Sequence, residues 1–314
     1  AVVGAGPAGL AAAVNLAEAG HQVSLFEASH QIGGQFNLAK QIPGKEEFAE
    51  TLRYFAYQLQ AKNVDVRLNT RAEAADLAAY EDVVLATGIS PRRPKIEGIE
   101  LPHVLCYTSL LSGQQSAGQK VIIIGAGGIG FDVAEYLLHH RDDAPSNTSA
   151  HAASAHAATL DPDFLRHWKA GWGVGDNQSS PGGLSTPQPA PPIRQLTMLQ
   201  RRSGKMGETL GKTTGWIHRS TLKAKKVDMR TGVNYERIVP EGLWLSYGEK
   251  REGMELLQAD NIIVCAGQEP LRALESACRA AGKTVHIIGG AKEATELDAK
   301  RAIREGTELA MTIA

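Results

Sequence analysis

Glycines spaced to cradle a phosphate occur twice in this chain. Residues 1–10, AVVGAGPAGL, set Gly4, Gly6 and Gly9 between an apolar strand and an Ala/Leu-rich helix expected from Leu10. Gly4 permits a tight turn, Gly6 lets the main chain approach a pyrophosphate, and Gly9 lets the helix pack close on the strand. Pro7 and Ala8 complete the loop. A second strand, 21–26, ends in Glu27-Ala28, eighteen residues beyond Gly9, where a carboxylate accepts hydrogen bonds from a ribose. The theme returns after the apolar run 120–124, as Gly125, Ala126, Gly127, Gly128, Ile129 and Gly130. The strand that follows, 195–199, ends without an acid, in Gln200-Arg201-Arg202. Arginines there accommodate and pair with a 2′-phosphate, so the second unit is expected to take NADP(H).

Further small residues are candidates for close approach to a ligand. Gly33 and Gly34, followed by Gln35, stand just after the acid, where a Cβ would collide with a ribose or pyrophosphate. A strand over 82–85 ends in Ala86-Thr87-Gly88. Its counterpart, 261–266, ends in Gly267, and the strand 284–288 ends in Gly289-Gly290. The last strand and a long helix over 295–313 are expected to return to the first domain. Metal chemistry finds no support. Cys106, Cys265 and Cys278 are isolated and form no C-x-x-C pair. His139, His140, His151, His156 and His167 lack ligand spacing and lie in or beside a low-complexity stretch, which reads as solvated loop.

The elements that position these residues fit a chain of 314 residues, long enough for two domains. The expected fold class is α/β: two Rossmann-like, three-layer dinucleotide-binding domains, the second inserted in the first. The expected boundaries are 1–118 with 266–314, and 119–265, the latter carrying a long, partly disordered Ala/Ser/His/Gly/Pro-rich insertion at about 141–193. Within it, Phe164, Trp168 and Trp172 read equally as an anchor for another domain or as a satellite core. Pro-rich 91–103 reads as an extended linker, and 234–260 as a β-meander. A net charge of −1 gives no field to attract nucleic acid or an anionic membrane, and no apolar run reaches the length of a membrane span. With three unpaired cysteines and no signal-peptide pattern, the expected location is cytoplasmic. The chain opens inside its first core strand, so a longer protein is expected around it.

With these pieces in order, the chain resembles the two-dinucleotide-domain flavoproteins over its whole length. IGGQFNLAKQIPGKEEF (32–48), GKTTGWIHR (211–219), CAGQEP (265–270), TVHIIGG (284–290) and ELDAKRAI (296–303) carry a closer likeness. They are similar to the C-terminal half of bacterial NADPH-dependent 2,4-dienoyl-CoA reductases, in the NADH:flavin oxidoreductase and trimethylamine dehydrogenase-like family. The resemblance implies FAD on Gly4, Gly6, Gly9, Glu27 and Gly34, and NADPH on Gly127, Gly130, Arg201 and Arg202. It also implies a partner region with FMN and a four-cysteine 4Fe-4S cluster, in a part of the full enzyme that this chain does not contain. Gly290 departs from the aspartate that thioredoxin-reductase relatives place there.

Hydride transfer between nicotinamide and flavin needs stacked rings and no side-chain acid or base, so no catalytic side chain is named. The resemblance implies an NADPH:FAD oxidoreductase module that passes electrons toward the cluster and FMN, for 2,4-dienoyl-CoA reduction in fatty acid β-oxidation. Two alternatives stand beside it. One is a free-standing NADPH-dependent flavin or ferredoxin reductase, and the other a non-catalytic ADP- or nucleotide-binding domain.

Overall fold

Runs such as VIII at 121–124 and IIV at 262–264 are apolar on both faces, which suits strands covered on both sides of a parallel sheet. The computed structural model, which describes residues 1–139, 162–178, 180–295 and 298–313, builds two such sheets. The chain divides into two units. One is Ala1–Lys40 with Glu47–Arg92 and Gln268–Ala314, and the other Gln41–Glu46 with Arg93–Gly267.

The first unit begins with β1 (Val2–Val3), α1 (Pro7–Glu18), β2 (Ser24–Phe26), α2 (Phe36–Ala39), α3 (Phe48–Ala61), β3 (Asp65–Arg67), β4 (Asp82–Leu85) and β5 (Ile89–Pro91). The second contains β6 (Val104–Cys106), α4 (Tyr107–Leu111), β7 (Lys120–Ile124), α5 (Gly128–His139), α6 (Pro162–Trp172), β8 (Gln195–Gln200), α7 (Gly215–Ala224), β9 (Asp228–Thr231), β10 (Val233–Val239), β11 (Gly242–Tyr247), β12 (Glu252–Gln258) and β13 (Asn261–Val264). The chain then returns to the first unit with β14 (Gln268–Pro270), α8 (Glu275–Ala280), β15 (Thr284–Ile287) and α9 (Ala299–Ala310).

The first sheet runs β15-β4-β1-β2-β3 and the second β6-β13-β7-β8-β9, each with five strands, all parallel. In both, the strand that leads into the glycine turn is central. β10, β11 and β12 form the expected antiparallel meander, with β10 and β12 flanking β11. Leu243, Leu245, Val233 and Ile238 of the meander pack with Ile122, Ile124 and Ile262 of the second sheet. In the first unit, α1 buries Leu10, Val14 and Leu16 beside Leu25 and Val84. Each such side chain contributes about 1.5–3 kcal/mol of burial. A Cβ on Gly306 of α9 would lie 2.3 Å from Ala8 O, so α9 approaches α1 backbone to backbone.

Three expectations shift. First, α1 starts at Pro7 and not at Leu10, because the fixed φ and missing N–H of proline suit a first helical position. Second, α9 is shorter than 295–313, because the Asp298 carboxylate accepts the Arg301 N–H at 2.7 Å and caps the helix there. Third, 91–103 is no bare linker. Ile96 and Ile99 are buried against the meander, and Glu97 O accepts the Ile238 N–H at 2.7 Å. This moves the first change of unit from the expected 118 to 92, since β6 pairs with β13 at the edge of the second sheet. The return falls after Gly267 and not after 265, and residues 41–46 also join the second unit. Of the expected insertion, 140–161 and residue 179 lie outside the described residues. Within the rest, α6 is amphipathic with no buried residue, and Phe164, Trp168 and Trp172 are exposed, Trp172 edge-on to Trp216 at 6.3 Å.

Candidate functional site

In the first unit the glycine turn is assembled from backbone contacts that only glycine permits. Gly4 has φ +104°, and a Cβ on it would lie 2.4 Å from Ala86 O. A Cβ on Gly9 would lie 1.9 Å from Gly4 O, which is why α1 can start directly against β1. Gly6 has open space around its Cβ position, the gap a pyrophosphate requires. The Gly33 N–H donates to Ala5 O at 2.7 Å, and a Cβ on Gly34 would lie 3.0 Å from Gly6 Cα. Gly289 sits against Ala8. Gly4, Gly6, Ala8, Gly9, Gly33, Gly34, Ala86, Thr87 and Gly289 therefore form one group around the N-terminus of α1. Thr87 donates its hydroxyl to Leu271 O at 2.5 Å, and Gly88 O accepts the Leu271 N–H at 3.0 Å. The exposed Ala28 and the half-buried Gln35 adjoin this group through their chain neighbours Glu27 and Gly34.

Glu27 follows β2 directly. Its Oε2 accepts the Ala5 N–H and its Oε1 the Ser29 N–H, both at 2.8 Å. The carboxylate is thereby locked against the glycine turn, with lone pairs remaining on both oxygens for a ribose. Pro7 has no N–H, while the Ala8 and Gly9 N–H groups open α1 without intrahelical acceptors. The buried Gly290 N–H likewise meets no acceptor among the described residues. An uncluttered glycine cradle, free donors and a positioned acid fit a dinucleotide.

The second unit repeats the turn atom for atom in its backbone logic. Gly125 has φ +114°, with a would-be Cβ 2.2 Å from Cys265 O, and one on Gly130 would lie 2.1 Å from Gly125 O. Gly127 and Gly128 are open, and Ile129 follows in the first turn of α5. Gly267, at φ +104°, ends the β13 segment as Gly88 ends the β4 segment. The Gly4 N–H donates to Phe26 O and the Gly125 N–H to Leu199 O, so Glu27 and Gln200 occupy equivalent places. Their chemistry differs. Gln200 turns away from the glycines and donates to Arg202 O at 3.1 Å and Gly204 O at 2.9 Å. Arg201 and Arg202 are exposed and pair with no acid among the described residues. Tyr235 donates to Leu199 O at 3.2 Å, and burial pushes its phenol up to about 12, against an opposing pull from Arg201.

Several contacts lay beyond sequence reasoning. The segment 207–222, undecided from its composition, is pinned near α5: His218 Nδ1 lies 2.7 Å from the buried Glu135, and Arg219 donates to Gly207 O at 2.9 Å. A cleft of about 490 Å³ opens beside it, lined by Lys205, Trp216, Arg219, Lys223, Met229 and Thr231 among others. Lys45, of the segment IPGK, pairs with Asp132 of α5 at 2.6 Å. Burial pushes the Cys265 thiol up, so it stays protonated. Of the five expected loop histidines, His139 and His167 bond to Glu135 O and Asp163 O, and the other three lie outside the described residues. No metal-binding group of three or more His, Cys, Asp or Glu occurs among the described residues, and no helix of these is long and apolar enough to cross a membrane.

Residues 1–292 match the pyridine nucleotide-disulphide oxidoreductase family model. The chain belongs to that family. Members of that family bind FAD and NAD(P). Among curated relatives it is 28% identical over 297 residues to a metal reductase of Desulforamulus reducens, covering 92% of this chain and 40% of that protein. It is 37% identical over 142 residues to an NADH oxidase of Thermoanaerobacter brockii, covering 43% of this chain and 22% of the oxidase. Among solved structures, a 2-naphthoyl-CoA reductase superposes with a TM-score of 0.76 at 26% identity, over 99% of this chain and 39% of that one. Thioredoxin reductase of T. acidophilum shares the fold, with a TM-score of 0.64 at 15% identity over 99% of this chain and 95% of its own. The chain thus spans less than half the length of the metal reductase and the naphthoyl-CoA reductase.

Proposed function

We propose that the chain is the electron-intake module of an NADPH-dependent reductase of the 2,4-dienoyl-CoA reductase type, with FAD in its first unit and NADPH in its second. One observation carries the nucleotide assignment: Gln200 stands where the first unit has Glu27, and two unpaired arginines follow it. A carboxylate there would accept from a ribose and repel a 2′-phosphate. Arginines reverse that preference, since a charge-assisted hydrogen bond is worth about 1.5–3 kcal/mol. Gln200 keeps its own amide busy on the 202–204 backbone and leaves both guanidinium groups to the ligand.

FAD, when bound, supplies acceptance of hydride from nicotinamide and release of the electrons one at a time. The residues of the chain bind and orient. Gly4, Gly6 and Gly9, with Glu27 and Gly34, would hold the pyrophosphate and ribose of FAD, Ala86-Thr87-Gly88 and Gly289-Gly290 completing that side. Gly125, Gly127 and Gly130, with Arg201 and Arg202, would hold the nicotinamide nucleotide. The onward acceptor, a region carrying a 4Fe-4S cluster and FMN, and a dienoyl-CoA substrate belong to the same proposal. The likeness at 26% identity to an acyl-CoA reductase more than twice as long supports them. A retired, ADP-holding domain would have no use for an unpaired phosphate-reading pair.

The test is calorimetric titration of the chain with NADP⁺ and with NAD⁺. The proposal expects NADP⁺ to bind at least about tenfold tighter, by a margin that narrows at high salt. Equal affinities would overturn the NADPH assignment and leave the family membership untouched.

A further inference from the structure

The turn Gly289–Ala291 leaves β15 and is buried at every residue. Gly289 has φ +61°, and a Cβ on it would lie 2.7 Å from the Ala8 Cβ, so the turn rests on the first turn of α1. Two successive glycines give this segment wide freedom in the absence of other constraints. Its own backbone supplies little restraint beyond Lys292 and Glu293 N–H groups bonded to Gly289 O. Two charged side chains, far apart in sequence, hold it instead. Glu305 of α9 accepts the Gly289 N–H through Oε2 at 2.7 Å. Arg272 donates Nε to Ala291 O at 2.5 Å and Nη2 to Lys292 O. Neither the carboxylate nor the guanidinium forms an ion pair among the described residues, so each is spent on the backbone of this turn.

We propose that Glu305 and Arg272 are positioning residues for the flavin. Glu305 fixes the entry of the Gly289–Ala291 turn and Arg272 its exit. Together they hold the turn on α1 at the side of the glycine cradle and set the direction of the free Gly290 N–H. Neither residue touches the flavin in this account; each acts through the turn. The inference rests on the reading of the first unit as the FAD site.

The test uses the full chain and its Glu305→Ala, Glu305→Gln and Arg272→Met variants. Affinity for FAD is followed by flavin fluorescence, and the absorption envelope and midpoint potential of the bound flavin are recorded. Glu305→Ala should weaken FAD binding by about tenfold and shift the envelope, and Arg272→Met by a few-fold. Glu305→Gln should bind within about twofold of the unsubstituted chain, because its amide oxygen accepts the same N–H. Unchanged affinity and spectrum in both Glu305→Ala and Arg272→Met would overturn the proposal. So would a Glu305→Gln variant as weak as Glu305→Ala, which would assign the loss to charge and not to the accepted hydrogen bond. Should Glu305→Ala fail to fold, Glu305→Gln and Arg272→Met decide by the same criteria. Failure of the unsubstituted chain to bind added FAD would remove the flavin reading itself, whereas failure of the clamp alone leaves that binding intact.

Discussion

The two strand–glycine–helix turns share their backbone and part company at the end of the next strand. In both, the first glycine lies against a carbonyl of the neighbouring strand's end, Ala86 O or Cys265 O, and the last lies against the carbonyl of the first. In the first unit the strand-end residue is Glu27, folded back onto the Ala5 N–H. In the second it is Gln200, folded forward onto 202–204, with Arg201 and Arg202 beyond it. The comparison separates two jobs. Glycine spacing makes a place for a pyrophosphate, and the strand-end side chain selects what hangs from it. Topology differs as well: the first unit closes its sheet with β15, from the far end of the chain, and the second with β6, which precedes its glycine turn.

The largest effects should come from filling the turns. Gly9→Ala puts a methyl 1.9 Å from Gly4 O and should abolish flavin retention, about a hundredfold or more in affinity. Gly130→Ala, 2.1 Å from Gly125 O, should remove nicotinamide nucleotide binding while flavin stays bound. Flavin loss from Gly130→Ala with nucleotide binding kept would invert the assignment of the two units. Next, Arg201→Ala with Arg202→Ala should raise KM for NADPH by about 10–100-fold and leave KM for NADH within about twofold, measured by steady-state kinetics. Gln200→Glu should shift the NADPH/NADH ratio of kcat/KM by about tenfold toward NADH, by giving the second unit the acid of the first.

The smallest effect concerns Tyr235, next to that strand end. Its folded pKa of about 12 lies above the ordinary value of about 10, so the folded state holds a proton that the unfolded chain releases first. The stability it contributes is complete below about pH 10 and disappears as pH rises through about 12. Spectrophotometric titration should show a phenol ionising near pH 12, and Tyr235→Phe should remove that late step.

The turns and strand ends were legible because their requirements are local. A Cβ at Gly4 or Gly9 collides with backbone a few residues or one strand away, so spacing alone announces them. The acid at Glu27 and its absence at Gln200 were readable for the same reason. Long-range geometry was not. Ile96 and Ile99 sit among prolines that read as a linker, and only packing against β10 and β11 shows them to be core. The same contacts, with β6 at the sheet edge, moved the first change of unit from 118 to 92. Residues 41–46 join the second unit, where Lys45 pairs with Asp132, 87 residues away, a contact that no window detects. Glu305 and Arg272 belong to the same class: ordinary surface charges in sequence, and backbone partners of one turn in space. In 207–222 the glycines and threonines mask periodicity until Gly215, where α7 begins.

Anaerobic titration of the flavin-loaded chain with NADPH and, separately, NADH tests the central claim most directly. The account predicts that NADPH bleaches the flavin band at far lower concentration than NADH, and that the difference disappears in the Arg201→Ala, Arg202→Ala double variant. A bound flavin that neither nucleotide reduces, or one that NADH reduces at equal or lower concentration, would contradict it.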